Sequence, residues 1–451
     1  MRHSYPQDLV DYLFQHWAES IHPRERGHGG HSSHGSHAEQ PDPLPDPAVV
    51  EQLISTCYQS SMLHEEERPV RFRLIFREPD RFPPEQGPPT GLHRLVFKKP
   101  RPFTEYELQK LAPAVDFYRS LIGVRLDPEA GLQIWGVAHS GPRWIQAIQG
   151  GSKQFTPLPP ALVLYTTRSG RISVCRGSTM LGMLAGGRVI TPSLNIFDTS
   201  WLQDTFGLAR EELWALHHEA RALAEGPWAA LEPDLVEKIS QQVVKRILSI
   251  IRNSRHGGAL VFLPPERVDR CVAENGILGI KYSFEEEEPR QRFRTLLLEL
   301  LNTLAAAYGD PKHPDRVVGW KEYVGSKNAA LSRLDEAIFE YAHLIAGLTA
   351  VDGAVILTSN FELIGFGAVI LGALDKLEQV AYALDAEGTV TEQEPTDGSG
   401  TRHRAAYHLC HTLHDALAIV VSQDGNVRVA KWKNDMVTCW EVIPITFTGL
   451  Q

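Results

Sequence analysis

The second half of the chain alternates between helical and strand-like segments, and this alternation most restricts the possible folds. The helical pattern "EKISQQVVKRILSIIRNS" is followed by "GGALVFLPP" (257–265), which is typical of a buried strand. The helical pattern "ALSRLDEAIFEYAHLIAGLTA" (330–350) then leads directly into "VDGAVIL" (351–357). Helices that alternate with short apolar runs indicate an α/β domain with a buried sheet.

The 451 residues are enough for about two or three domains. Residues 1–47 predict a short helix and then a His/Gly/Pro-rich linker. Residues 48–230 mix strand and helix patterns and predict an α+β domain. Residues 233–445 are predicted to form the α/β domain.

Several local signals predict individual elements. Thr104 with Glu107 three residues later predicts the start of a helix. The segment "ALVLYTTRSGRISVCRG" (161–177) predicts a hairpin around Ser169 and Gly170. The segments near 201–225 and 233–252 predict helices, and so does "GFGAVILGALDKLEQVAYAL" (365–384).

Two pairs of segments resemble each other within the chain. "ALVLYTTRSGRISV" (161–174) aligns with "ALAIVVSQDGNVRV" (416–429), and "GVRLDPEAGLQIWGVA" (123–138) aligns with "GAVILTSNFELIGFGA" (353–368). A degenerate duplication would explain both pairs and would make the N-terminal domain a degenerate copy of the C-terminal one. Chance similarity between short hairpins is the alternative.

Composition excludes some functions. A net charge of −10 argues against general nucleic-acid binding. The five cysteines lack CxxC spacing, so neither a zinc site nor a disulfide framework is expected. The chain has no run of 18 apolar residues and no signal-peptide pattern at its start, so we expect a cytoplasmic protein without a membrane anchor. The evenly spaced histidines of the linker could bind a transition metal, although a plain linker is the simpler interpretation; they are His28, His31, His34 and His37.

The segment "DGSGTRHRAAYHLC" (397–410) combines groups that bind phosphate. Gly398 and Gly400 allow positive φ, and Thr401 is suited to cap the helix that follows. Arg402 and Arg404 offer planar cationic groups, and His403 offers a further donor. The segment therefore predicts a triphosphate site, with a solvated turn before a helix as the alternative.

A second element is the Asp-Gly pair of "VDGAVIL". Such a pair is usually only a turn. Its functional interpretation places the Asp352 carboxylate at the sheet edge, where it could bind Mg²⁺ or Mn²⁺ or assist deprotonation of a sugar hydroxyl.

Together these motifs resemble the diadenylate cyclase domain (DAC, DisA_N-like), which makes cyclic di-AMP. The resemblance rests on "DGAVIL", then "GTRHRAA", then "ALAIVVSQDGNVRVA", and it covers roughly residues 233–445. It implies a mixed β-sheet flanked by helices. The first half of the chain is similar, more weakly, to the sensor regions that accompany such domains.

The resemblance also implies roles for single residues. Asp352 would act near the attacking 3′-hydroxyl, with Mg²⁺ or Mn²⁺ as the cofactor. Nucleotide binding would fall to Gly353, Ala354, Gly400, Thr401, Arg402, His403, Arg404 and Ser422. Two subunits would meet face to face as a homodimer, and two ATP would condense to cyclic di-AMP with release of pyrophosphate.

The chain departs from the family pattern at two positions. Val351 stands where many members have His before DGA, and Ser422-Gln423-Asp424 stands where many have S-E-E. Three functions therefore remain open. They are a cyclase regulated by its N-terminal domain, a catalytically silent receptor for ATP or cyclic di-AMP, and a regulatory interaction protein with a vestigial nucleotide fold.

Overall fold

The structure is a computed structural model that describes residues 5–17, 41–88, 91–117, 119–140, 158–190, 196–273, 276–313, 315–371 and 377–442. Its contacts divide the chain into two compact units, Met1–Ile145 with Phe155–Pro192, and Gln146–Gln154 with Ser193–Gln451. The His-rich linker lies outside the described residues.

The first unit has one main sheet with helices against it. Its helices are α1 (Pro6–His16), α2 (Pro47–Ser61) and α3 (Glu105–Leu111). Its strands are β1 (His64–Glu65), β2 (Arg68–Pro69), β3 (Phe72–Phe76), β4 (His93–Pro102), β5 (Ser120–Asp127), β6 (Gly131–His139), β7 (Leu162–Arg168), β8 (Arg171–Arg176), β9 (Thr179–Ala185) and β10 (Arg188–Ile190).

The second unit has more helices and a larger sheet. Its helices are α4 (Ser200–Thr205), α5 (Gly207–Ala222), α6 (Leu235–Ser254), α7 (Val268–Val272), α8 (Glu287–Arg290), α9 (Arg292–Ala307), α10 (Trp320–Gly325), α11 (Ala329–Leu348) and α12 (Thr401–Thr412). Its strands are β11 (Ala230–Leu231), β12 (Gly258–Leu263), β13 (Leu278–Ser283), β14 (Val317–Val318), β15 (Ala354–Thr358), β16 (Leu363–Ile370), β17 (Gln379–Ala383), β18 (Thr391–Pro395), β19 (Leu417–Val421), β20 (Val427–Lys433) and β21 (Met436–Val442).

The main sheet of the second unit separates two apolar cores. In the described residues its strand order is β13-β16-β15-β12-β19-β20-β21-β17-β18. Val355 and Leu357 pack with α6, α9 and α11 on one face, and Ile356 packs with α12 on the other. Because successive residues of a strand face opposite sides, this alternation follows from a fully apolar run. The fold is therefore α/β with a mixed sheet flanked by helices, as predicted.

The two main sheets share the order and pairing of seven strands. The order β4-β6-β5-β3-β7-β8-β9 in the first unit matches β13-β16-β15-β12-β19-β20-β21 in the second, and the matching strands follow the same order along the chain. In both sets one pair is parallel, β3 with β5 and β12 with β15, and the other pairs are antiparallel. Such a match supports the interpretation that the N-terminal domain is a degenerate copy.

The division by contacts differs from the predicted boundary at residue 230. Residues from Ile196 onward pack with the second unit, because Trp201 stacks on Trp440 at 4.4 Å and Leu213 belongs to its core. Helix α1 in turn packs in the core of the first unit through Leu9 and Leu13.

Most predicted elements are present, and one is wrong. Thr104 accepts a hydrogen bond from the Glu107 amide and starts α3, and β7 and β8 form the predicted hairpin. Residues 365–384 were predicted as a helix, but they contain most of β16 and the whole of β17. An apolar run buried inside a sheet has the same composition as a buried helix, so periodicity does not separate them. In the part of the chain that the structure describes, no helix is long and apolar enough to cross a membrane.

Candidate nucleotide-binding site

The predicted site residues meet at one edge of the second unit's sheet. Strand β12 runs parallel to β15 and antiparallel to β19, so the starts of β12 and β15 lie beside the end of β19. Leu260 pairs with Val355, and Gly258 pairs with Val421. Counting back along these registers places Gly257 between Asp352 and Ser422.

Asp352 and Arg402 join the two predicted motifs. The Asp352 carboxylate is fully exposed, and its Oδ1 lies 3.6 Å from an Arg402 guanidinium nitrogen. The same guanidinium donates a hydrogen bond of 3.3 Å to the His256 carbonyl oxygen. An exposed ion pair of this kind contributes little to stability, about 0–1 kcal/mol. Both groups are therefore available to a ligand at small cost.

Gly353 is required by the backbone at the start of β15. Its φ is +112°, and a Cβ there would lie 2.5 Å from the Gly367 carbonyl carbon and 2.7 Å from the Ala368 oxygen. Ala354 pairs with Ala368, and the ladder is irregular beyond this pair. The Asp-Gly-Ala sequence thus lets β16 approach closely while the carboxylate stays at the edge.

The start of α12 differs in detail from the prediction. Gly400 is the N-cap with φ −63°, and no side chain caps the helix. The expected cap by Thr401 is therefore wrong: Thr401 is the first helical residue, and it is exposed. The expected positive φ is wrong too, since neither Gly398 nor Gly400 has one. A helix start without a capping side chain leaves amide N–H groups free for an anion.

The three residues of the RHR motif are not equivalent. Arg402 is half-buried, Arg404 is exposed, and His403 is half-buried with a buried Nε2 that has no hydrogen-bond partner among the described residues. Burial, together with the charge of Arg428, lowers the pKa of His403 to about 4. His403 is therefore neutral near pH 7 and adds a single N–H donor, while the two arginines carry the charge.

Ser422 holds the turn between β19 and β20. Its Oγ accepts a hydrogen bond of 3.0 Å from the Asn426 amide, and its carbonyl oxygen accepts one of 2.8 Å from Gly425. The hydroxyl hydrogen remains available to donate. Gln423, beside it, is exposed.

Sequence reasoning missed a polar network behind the RHR motif. Arg428 on β20 donates hydrogen bonds of 3.0 Å to Glu394 and 3.1 Å to the Tyr407 hydroxyl, and Tyr382 donates one of 3.3 Å to Glu441. The His403 ring centroid lies 6.3 Å from that of Tyr407. The only signal in the sequence was an arginine within an apolar strand pattern.

The donors at this edge limit how a metal could be held. Among the described residues no group of three or more His, Cys, Asp and Glu side chains is close enough to bind an ion. Mg²⁺ is often held by one or two carboxylates together with substrate phosphates. Asp352 with its exposed oxygens fits that minimal arrangement, with ATP as the source of the other ligands.

An apolar pocket of about 890 Å³, its open mouth included, lies elsewhere in the second unit. Phe206, Phe262 and Ile419 line it on the face of the sheet that packs against α6 and α9. Phe262 lies near the end of β12, and the candidate site lies at its start. The pocket is therefore not part of the candidate site.

Two family models match parts of the chain. Residues 341–434 match the model of the DisA bacterial checkpoint controller nucleotide-binding family (DAC). Residues 39–139 match the model described as probable sensor domain DACNV. No curated protein matches the chain. Residues 341–434 are thus similar to a DAC nucleotide-binding domain, and residues 39–139 are similar to a probable sensor domain.

Proposed function

We propose that the second unit is a diadenylate cyclase that condenses two ATP into cyclic di-AMP and is regulated by the first unit. The contact between Asp352 and Arg402 carries this proposal, because it brings a carboxylate and a phosphate-binding cation to one accessible edge. The match to a nucleotide-binding family supports the same substrate class.

The chemistry requires positioning and charge neutralisation more than a covalent intermediate. In each of two equivalent steps, a 3′-oxygen bonds to the α-phosphorus of the other ATP, and the bond to the bridging oxygen breaks. Pyrophosphate leaves, and the hydroxyl proton is released. Arg402, Arg404 and the α12 amides would neutralise the phosphates, and His403 would donate its single N–H.

The carboxylate would act on the attacking hydroxyl. Asp352 would hold Mg²⁺ or Mn²⁺ together with the phosphates, and the cation would supply charge for the leaving pyrophosphate and lower the pKa of the hydroxyl. Gly353 and Ala354 would leave space for the nucleotide, and Ser422 would donate its hydroxyl hydrogen. Because Asp352 is fully exposed, a nucleotide bound to a second chain could reach it in a face-to-face homodimer.

The test is incubation of the purified chain with ATP and Mg²⁺ or Mn²⁺, followed by mass spectrometry for cyclic di-AMP. We expect Asp352→Asn to lower product formation at least about 100-fold while ATP still binds. Asp269→Asn is the matched control, since Asp269 is an exposed carboxylate beyond the opposite end of β12. We also expect turnover per chain to fall on dilution if a dimer is required.

A second variant separates binding from chemistry. Arg402→Ala should weaken ATP binding about tenfold, because a charged hydrogen bond to phosphate is lost. Arg333→Ala, an exposed arginine on α11, should leave it unchanged. If Arg402→Ala bound ATP as tightly as the unmodified chain, the phosphate role would be wrong.

The competing function is a catalytically silent receptor. It is favoured by Val351 and by the exposed Gln423, which stand where many family members have His and Glu. ATP or cyclic di-AMP binding without product under either metal would support the receptor and overturn the enzyme.

A further inference from the structure

The first unit has its own version of the edge that carries the candidate site. The hairpins β7–β8 and β19–β20 turn at Gly170 and Gly425, and both glycines have positive φ. Gly170 lies against the end of α2, and Gly425 lies against the end of α6. Aligning these turns superimposes the strand registers. Position 71 then corresponds to Gly257, and position 119 corresponds to Asp352. For this strand the structural register is shifted by three residues from the sequence alignment of 123–138 with 353–368. The register pairs used are Phe72 with Thr166, Leu74 with Ile122, Gly258 with Val421, and Leu260 with Val355.

The charge at this edge is reversed. Arg119 stands where the second unit has Asp352, and Arg71 stands where it has Gly257. Arg119 is exposed, and Arg71 is half-buried. No salt bridge of either guanidinium occurs within the described residues. The edge therefore holds two cations that are free to meet an anion.

An aromatic ring lies beside Arg71. The Phe117 ring centroid is 5.0 Å from the Arg71 guanidinium carbon and 6.0 Å from that of Arg73. Phe117 is half-buried, so part of its ring is accessible. An accessible ring flanked by arginines is suited to stack on a planar group.

A row of polar groups continues this arrangement across three strands. Arg73 pairs with Tyr165, and Tyr165 pairs with Ser173, on one face of the sheet. Arg73 is 1% exposed, and its guanidinium lies 5.8 Å from the Tyr165 ring centroid. Ser173 is completely buried, and its hydroxyl has no hydrogen-bond partner among the described residues. A buried hydroxyl without a hydrogen-bond partner is costly in a purely structural sheet.

A histidine also lies at this edge. His139 pairs with Ser120, next to Arg119, and its Nδ1 lies 2.9 Å from the Ser120 Oγ. Burial, and then the charges of His93 and Arg119, lower the pKa of His139 despite an opposite effect of Asp116. His139 is therefore mainly neutral near pH 7, and the positive charge of the edge comes from its arginines.

We propose that this edge of the first unit binds a nucleotide, a ligand with phosphate groups and a planar base, and does not convert it. Arg119 and Arg71 would hold the phosphates, and Phe117 would stack on the base. The position that carries a carboxylate in the second unit carries an arginine here, so the carboxylate on which the proposed cyclase chemistry depends has no counterpart at that position. The edge would therefore be a binding site, in a domain of sensor type. The proposal does not depend on whether the second unit converts ATP.

The test is equilibrium dialysis of the full-length chain with ATP, in the unmodified protein and in variants of each unit. We expect two ATP sites per chain, of which Arg402→Ala weakens one and Arg119→Gln weakens the other about tenfold. Lys99→Gln, an exposed cation in the middle of β4, is the control and should change neither. Arg119 is exposed and its side chain makes no described contact, so the variant should fold, which its melting temperature checks.

The outcomes for the two units are distinguishable. If Arg119→Gln leaves every ATP affinity unchanged, or if inorganic phosphate competes as well as ATP at the Arg119 site, the inference is overturned. Loss of binding in Arg402→Ala alone bears only on the second unit. An ATP site that survives Arg402→Ala and weakens in both Arg119→Gln and Arg71→Gln supports the inference.

Discussion

Replacing Gly353 by alanine tests whether the Asp-Gly-Ala segment is fixed by backbone geometry. The residue has φ +112°, which an L-residue adopts at a cost of about 1–3 kcal/mol. The new Cβ would also lie 2.5 Å from the Gly367 carbonyl carbon and 2.7 Å from the Ala368 oxygen. Relief requires β15 and β16 to move apart, and such overpacking costs about 1–3 kcal/mol more. We expect a total destabilisation of about 2–6 kcal/mol.

The assay is native-state hydrogen exchange of the peptides that cover residues 354–370, measured by mass spectrometry. This local readout is needed because two units need not unfold in one transition. Gly398→Ala is the control, since it has no positive φ and open space around its Cβ, and it should change stability by less than about 0.5 kcal/mol. Equal exchange in Gly353→Ala and the unmodified chain would refute the backbone argument.

Two further predictions concern the groups behind the site. Because folding lowers the pKa of His403 from 6.5 to about 4, the neutral ring stabilises the fold fully above pH 6.5, and this stabilisation is lost as the pH falls towards 4. Urea unfolding should show that the free energy of unfolding falls by about 2 kcal/mol over this range, a figure discounted for the partial exposure of the ring. The fall should be absent in His403→Gln. Arg428→Met removes the donor to Glu394 and Tyr407, so it should lower the free energy of unfolding by about 1–3 kcal/mol. Arg428→Lys should restore part of that free energy, and equal stability of Arg428→Met and the unmodified chain would contradict the network's role.

The fold could be predicted where the pattern and the context agreed. The run "GALVFL" between a helix and a Pro pair was typical of a buried strand, and β12 is that strand. The run "GFGAVILGAL" has the same composition but no such context, and its role depends on pairing with β13 and β15. Pairing with distant strands is a tertiary property, which local propensity does not contain.

The residues of the site could be predicted from the sequence, but most of the contacts between them could not. The motifs named Asp352 and Arg402, and the structure places them 3.6 Å apart. The network around Arg428 could not be found, because Glu394 reaches it through a strand order in which β17 and β18 lie beyond β21. The chain passes through those strands before it forms β19, so sequence distance gives no indication of the contact.

The two departures from the family pattern remove titratable side chains from the edge. Val351 is half-buried beside the end of α11, and Gln423 is an exposed turn residue. The difference between the two proposed functions therefore rests on Asp352, whose carboxylate lies 3.6 Å from the Arg402 guanidinium. Phosphate groups would compete for that guanidinium, and binding would then release the carboxylate towards the hydroxyl. In a silent receptor Asp352 could be replaced by asparagine with no consequence beyond a small change in affinity, whereas in the cyclase the same replacement removes turnover.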